Sequence, residues 1–128
     1  MVSHPFQTAV RGFESLRGLR AELRAWLARL GVDDGTTADL VLAVSELATN
    51  AIEASPADEA QVEAKRPDHV IEVVIANEGA PFYGTAANVV PVRLGERGRG
   101  IDIATALVDR ITFQRSRGCT EVTVVKSF

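Results

Sequence analysis

The chain has 128 residues, 46% of them hydrophobic and 24% charged, which suits one domain burying roughly two thirds of its unfolded surface and leaves no room for two. A formal net charge of −3 argues against a general nucleic-acid surface, which needs a basic excess, and points to proteins or small molecules as partners. The single Cys119 excludes an internal disulfide and a thiolate metal cluster and fits a reducing, cytoplasmic setting; no apolar run approaches the ~18 residues of a membrane helix, and Met1 to Phe6 lacks a basic segment followed by an apolar one.

In chain order, Phe6 to Val10 reads as a short edge strand. Leu16, Leu19, Leu23, Trp26, Leu27 and Leu30 then form the apolar stripe of a first helix, which Gly31 terminates. Its Arg17, Arg20, Arg24 and Arg29 read as a solvated face, with docking of a partner as the alternative. A second helix runs from Thr37 to Ser55, with Thr36-Thr37-Ala38-Asp39 as a capping box and Pro56 just past its end. Leu40, Val44, Leu47 and Ala51 make its buried stripe, while Glu46 and Asn50, one helical turn apart, project together from another face. An acid and an amide on one ridge can share a metal ion. The plainer alternative is a solvated acid beside a satisfied amide.

Glu59 to Lys65 is expected as a weak strand, and Arg66-Pro67-Asp68 as a turn into the β-branched run Val70 to Ala76, which reads as a buried strand ending at Asn77-Glu78-Gly79-Ala80-Pro81. The segment from Ala80 to Glu96 contains Gly84, Pro91 and Gly95 and little apolar periodicity and, lying between the two candidate site motifs, is expected as a mobile lid over phosphates, with a disordered linker as the alternative. Gly95-Glu96-Arg97-Gly98-Arg99-Gly100 then reads as a glycine-rich turn feeding a helix from Ile101 to Val108. Such a turn lets backbone N–H groups approach a phosphate, and Arg97 and Arg99 add positive charge. The alternative is a flexible turn that caps the helix. Ile111 to Arg115 and Glu121 to Lys126 alternate across Arg117-Gly118 as a terminal hairpin. The expected fold class is an α/β sandwich: one mixed, mainly antiparallel sheet with three helices on one face.

The order of these motifs (a helix carrying E-x-x-x-N-A, a strand ending in an N-x-G turn, a loop, G-x-G entering a helix, a closing hairpin) resembles the GHKL ATPase superfamily and its Bergerat fold. Glu-Leu-Ala-Thr-Asn-Ala at 46–51 and Gly-Arg-Gly-Ile at 98–101 are most similar to bacterial anti-sigma-factor serine/threonine kinases. The likeness runs from about Arg20 to Val125 and implies a single histidine-kinase-like ATPase domain over 1–128.

By that resemblance Asn50 is the Mg²⁺ ligand and Glu46 the general base. A glutamate at 46 separates this branch from sensor histidine kinases, because a serine hydroxyl must lose a proton on attack and an imidazole need not. Neither His4 nor His69 lies in a context resembling a phospho-acceptor helix. Asn77 stands where the family usually has the adenine-binding aspartate, Gly79 matches the first glycine of that box, and Pro81 replaces the second. Gly98 and Gly100, with Arg97 and Arg99, match the phosphate cradle. Thr120 matches the threonine beneath the adenine, or is an ordinary strand residue.

The resemblance implies ATP and Mg²⁺ as cofactors, with a sigma factor and a STAS-domain antagonist as partners and no direct contact with nucleic acid or membrane. Family members are often homodimers, though no residue here marks a dimer surface. A small ATP hydrolase and a non-catalytic partner-binding regulator stay open as alternatives. An asparagine at 77 is expected to turn either its oxygen or its NH₂ to a base, and so to separate ATP from GTP less well than aspartate.

Overall fold

A computed structural model describes residues 4–81 and 96–128, giving only the backbone course for 96–101. The elements are β1 (Phe6–Arg11), a short 3₁₀ turn (Phe13–Ser15), α1 (Leu16–Arg29), α2 (Asp34–Glu53), β2 (Glu59–Lys65), β3 (Val70–Glu78), α3 (Glu96–Leu107), β4 (Arg110–Ser116) and β5 (Cys119–Ser127). The five strands form one sheet in the order β1-β2-β3-β5-β4. Expected as mixed and mainly antiparallel, the sheet is antiparallel at every described pairing. Strand β3 turns its Ile71, Val73, Ile75 and Asn77 into the core and leaves Glu72, Val74 and Ala76 half-covered on the other face. Among the described residues no helix is long and apolar enough to cross a membrane.

The helices cover one face of this sheet. Leu16, Leu19, Leu23, Trp26 and Leu27 of α1 and Leu40, Val44, Leu47, Ala48, Ala51 and Ile52 of α2 meet Val62, Ile71, Val73, Ile75, Val122 and Val124 in one core. Each fully buried Leu, Ile or Val contributes about 1.5–3 kcal/mol over an exposed one. The strand expected to be weak, β2, is second from the edge, and its alternation of Ala60, Val62 and Ala64 inward leaves room for α2 to lie close.

Both helix ends between α1 and α2 follow from local chemistry. Gly31 takes φ +80°, donating to Ala28, while Val32 donates to Leu27, the paired bonds of a left-handed C-terminal cap with Val32 and Leu27 buried together. The start of α2 departs from the expected box at Thr36. Asp33 is the cap instead, its Oδ2 accepting from the Thr36 N–H at 2.9 Å, because a carboxylate at the first free N–H groups also meets the positive helix end. Asp39, the other end of that box, instead lies 3.6 Å from Lys126 Nζ and ties α2 to β5.

Candidate functional site

Helix α2 carries two of the expected residues on one ridge. Glu46 and Asn50 are both half-buried, beside the fully buried Leu47 and Ala51. Next to them Thr49 turns its hydroxyl back to the Ser45 carbonyl at 2.7 Å, and Ser45 Oγ accepts from Arg20 of α1 at 3.1 Å. Arg20 is therefore half-buried and bonded, while Arg17, Arg24 and Arg29 are exposed as expected. Among the described residues no cluster of three His, Cys, Asp or Glu side chains could cage a metal.

Asn77 lies at the end of β3, 2% exposed, and faces the C-terminal turn of α2. The Ser55 N–H turns to the Ile52 carbonyl, which leaves the Ala51 carbonyl without its helical partner. Asn77 Nδ2 fills that place at 2.9 Å and also points to the Ala80 carbonyl at 3.5 Å. Two carbonyl acceptors fix the amide's sense: nitrogen toward α2, oxygen away. Asn77 Oδ1 is then a fully buried acceptor with no partner among the described residues. The expectation that this amide turns either way is thereby overturned, since reversing it sets its oxygen against the Ala51 carbonyl.

Gly79 follows at φ +150°, and a Cβ there would sit 2.4 Å from the Ala54 carbonyl oxygen. That approach lets Ala80 N–H reach the same carbonyl at 3.1 Å, while Gly79 N–H bonds Gly118 at 2.9 Å. The turn is thus stitched to the end of α2 and to the β4–β5 hairpin. Only glycine fits both the space and the conformation.

Thr120 is fully buried and directly opposite Asn77 in the β3–β5 register, which brings these two expected residues together. Its partner on the other side is Arg115 of β4, whose guanidinium donates to Thr120 Oγ1 and, at 2.7 Å, to the Gly79 carbonyl. Arg115 was not singled out in the sequence; the register of the closing hairpin is the signal that places it beside Thr120.

The glycine pair is placed differently from expectation. Helix α3 begins at Glu96, so Gly98 and Gly100 lie inside its first turns and not in a turn ahead of them. The Gly98 N–H is still among the first four of a helix N-terminus, which are free of intrahelical bonds, while the Gly100 N–H falls past them, where the Glu96 carbonyl is its i−4 acceptor. The side chains of Arg97 and Arg99 lie outside what the structure describes, as do residues 82–95 of the expected mobile segment from Ala80 to Glu96. Further along α3, Ala104 is fully buried in the common core.

Comparison with known proteins places this geometry. The family described as histidine kinase-like ATPase domain matches residues 12–126. Among solved structures, the RsbU and RsbW domains of Rv1364c from Mycobacterium tuberculosis superpose with a TM-score of 0.75 and 25% identity, covering 97% of this chain and 32% of the other. This chain thus spans about a third of the length of that solved chain. The histidine kinase AdeS of Acinetobacter baumannii superposes with a TM-score of 0.58 at 14% identity, covering 99% of this chain and 68% of that one, a likeness of fold alone.

Proposed function

The chain belongs to the histidine kinase-like ATPase domain family, and from that premise we propose that it is an ATP- and Mg²⁺-dependent serine/threonine protein kinase. In this reading it acts as an anti-sigma factor, holding a sigma factor and phosphorylating a STAS-domain antagonist. The observation that carries nucleotide binding is the unpartnered, fully buried Asn77 Oδ1. A buried acceptor left unmade costs about 1–3 kcal/mol, which an amino group on a base would recover. The kinase and its partners draw support from the Glu46-Leu47-Ala48-Thr49-Asn50-Ala51 and Gly98-Arg99-Gly100-Ile101 motifs, and from the alignment with a protein that contains RsbU and RsbW domains.

The residues fit such a ligand. Magnesium with a nucleotide takes one or two protein oxygens and completes its shell with phosphates and water, so a single amide oxygen at Asn50 suffices where the described residues form no acidic cage. Gly98, in the first turn of α3, would offer its N–H to the phosphates, and Gly100, without a side chain, would let them approach the helix. Glu46, four residues before Asn50, would take the proton of the attacking serine hydroxyl as its oxygen bonds the γ-phosphorus and ADP leaves. Bound ATP supplies the phosphoryl group; the chain orients it and receives the proton.

Isothermal titration of ATP and ADP with and without Mg²⁺, on the parent and on Asn50→Ala, tests the nucleotide and metal assignments together. Binding that Mg²⁺ enhances in the parent and not in Asn50→Ala is the expected result. Equal enhancement in both removes Asn50 as the ligand. Absence of any binding by the folded protein leaves the partner-binding regulator, the reading that Asn77 and Pro81, in place of the usual family aspartate and glycine, favour.

A further inference from the structure

Asn77, Thr120 and Arg115 stand in one row across β3, β5 and β4, and their hydrogen bonds give the row a direction. A guanidinium has only donors, so Thr120 Oγ1 accepts from Arg115 and its own proton must be given elsewhere. Asn77 gives its nitrogen to Ala51 and Ala80 and keeps its oxygen free. Side by side, then, the buried Asn77 and Thr120 offer an acceptor and a donor. The complementary edge has an amino group next to an unprotonated ring nitrogen, which is that of a 6-aminopurine. A 6-oxopurine carries the reverse pair, a carbonyl beside a protonated nitrogen, and meets acceptor with acceptor and donor with donor.

Resting on the nucleotide reading above, we propose that Arg115 is a positioning residue that fixes the polarity of this pair, so that the base site selects 6-aminopurines over 6-oxopurines through a side chain that does not itself touch the base. Asn77 is held by α2 whatever Arg115 does. Thr120 is not: without the guanidinium its hydroxyl can rotate to accept from a protonated ring nitrogen. Arg115 thus acts on the half of the pair that is free to change. Its second bond, to the Gly79 carbonyl, fixes where the guanidinium sits.

The test compares ADP with inosine diphosphate, which differ only at this edge. Both are titrated at one salt and Mg²⁺ concentration into the parent, Arg115→Ala, Arg115→Lys and Thr120→Val, with thermal melts establishing that each variant is folded. The parent should prefer ADP by about tenfold to a hundredfold, the size of one or two unmatched buried polar groups. Arg115→Ala should reduce that ratio several-fold, mainly by tighter inosine diphosphate binding, and Arg115→Lys, again a donor only, should restore most of it. Thr120→Val should lower the ratio as well, and adding Arg115→Ala to it should change nothing further. If Arg115→Ala weakens both nucleotides equally, or leaves the ratio alone, Arg115 only braces the Gly79 turn and the proposal falls. If the folded parent binds neither nucleotide, the nucleotide reading fails first and takes this inference with it.

Discussion

Asn77 and Ala51 are 26 residues apart, and the side chain of one completes the helix of the other: Asn77 Nδ2 donates at 2.9 Å to the Ala51 carbonyl that the C-terminal turn of α2 leaves open. An aspartate, the usual family residue, cannot make this bond. It would place a carboxylate against a carbonyl at the negative end of a helix. Asparagine at 77 thus serves the end of α2, and the free Oδ1 is a consequence of that bond.

Asn77→Asp is expected to destabilise the fold by about 1–3 kcal/mol near neutral pH, the cost of a buried hydrogen bond replaced by repulsion. The pH dependence has a definite sign. Burial and the facing carbonyl raise the introduced carboxyl's folded pKa above its unfolded value of about 3.9, so the penalty is small below that value and grows as pH rises through it. Urea denaturation of both proteins near pH 7 and near pH 3 checks this. Midpoints that coincide near pH 7 would show that the amide bond supports nothing. The sequence adds an expectation about selectivity and not stability: a wider preference for adenine over guanine in the aspartate variant, read from ADP and GDP titrations of both proteins.

Gly79→Ala should destabilise by about 1–3 kcal/mol through a strained backbone, and by more if the turn cannot shift its Cβ away from the Ala54 carbonyl, 2.4 Å distant. Because the same turn positions Ala80 and accepts from Arg115, the substitution should also weaken ADP binding where the fold survives. A thermal melt and one ADP titration decide it. Parent-like values in both would mean that the turn tolerates a side chain and that the close approach is not a constraint.

What was legible in the sequence and what was not divide along physical lines. The apolar stripe of α1, the alternation of β2 and β5 and the break at Gly31 are local patterns, and the fold follows from them. The ridge of Glu46 and Asn50 was legible because helical spacing is fixed. The sense of the Asn77 amide was not, because it depends on a carbonyl 26 residues earlier in the chain. The cap of α2 moved to Asp33 because its carboxylate reaches the Thr36 N–H and starts the helix earlier than the expected box, and Asp39 pairs instead with Lys126 of β5. The glycines at 98 and 100 looked like a turn by composition, yet α3 continues through both. Arg115 needed the strand register, which alternation alone does not supply.

Acid should weaken the fold through Asp109 and Asp33. The Ser127 N–H and then its hydroxyl hold Asp109 below the usual carboxylate range, and the Thr36 N–H does the same for Asp33. A depressed folded pKa means that the unfolded chain takes up protons first as pH falls. The contribution is complete above the unfolded value of about 3.9 and is lost below it, down through the folded pKa. Asp109 accepts from both the N–H and Oγ of Ser127, at 2.7 and 2.8 Å, pinning the end of β5. Asp109→Asn should therefore lower the urea midpoint near pH 6, and the gap to the parent should narrow as pH falls below the unfolded value and the parent's carboxyl takes up its proton. A gap that stays constant across this range would assign the effect to shape and not to charge.

Glu46→Gln tests the proposed chemistry apart from the proposed binding. The amide keeps the shape and half-buried position of Glu46 and cannot accept a proton, so ATP and Mg²⁺ affinity should stay within a few-fold of the parent. Transfer to a serine should slow by about 10² to 10⁴, the usual contribution of a general base. Single-turnover incubation with γ-labelled ATP and STAS-domain proteins reads transfer, and released phosphate in the same tubes reads hydrolysis. Loss of label on the protein acceptor in Glu46→Gln, with binding retained, is the kinase outcome. Parent activity that releases phosphate equally with and without acceptor would instead make water the nucleophile and the chain a small hydrolase. Transfer that proceeds undiminished in Glu46→Gln removes this carboxylate from the reaction, because no other acid lies one helical turn before Asn50 on the same ridge of α2.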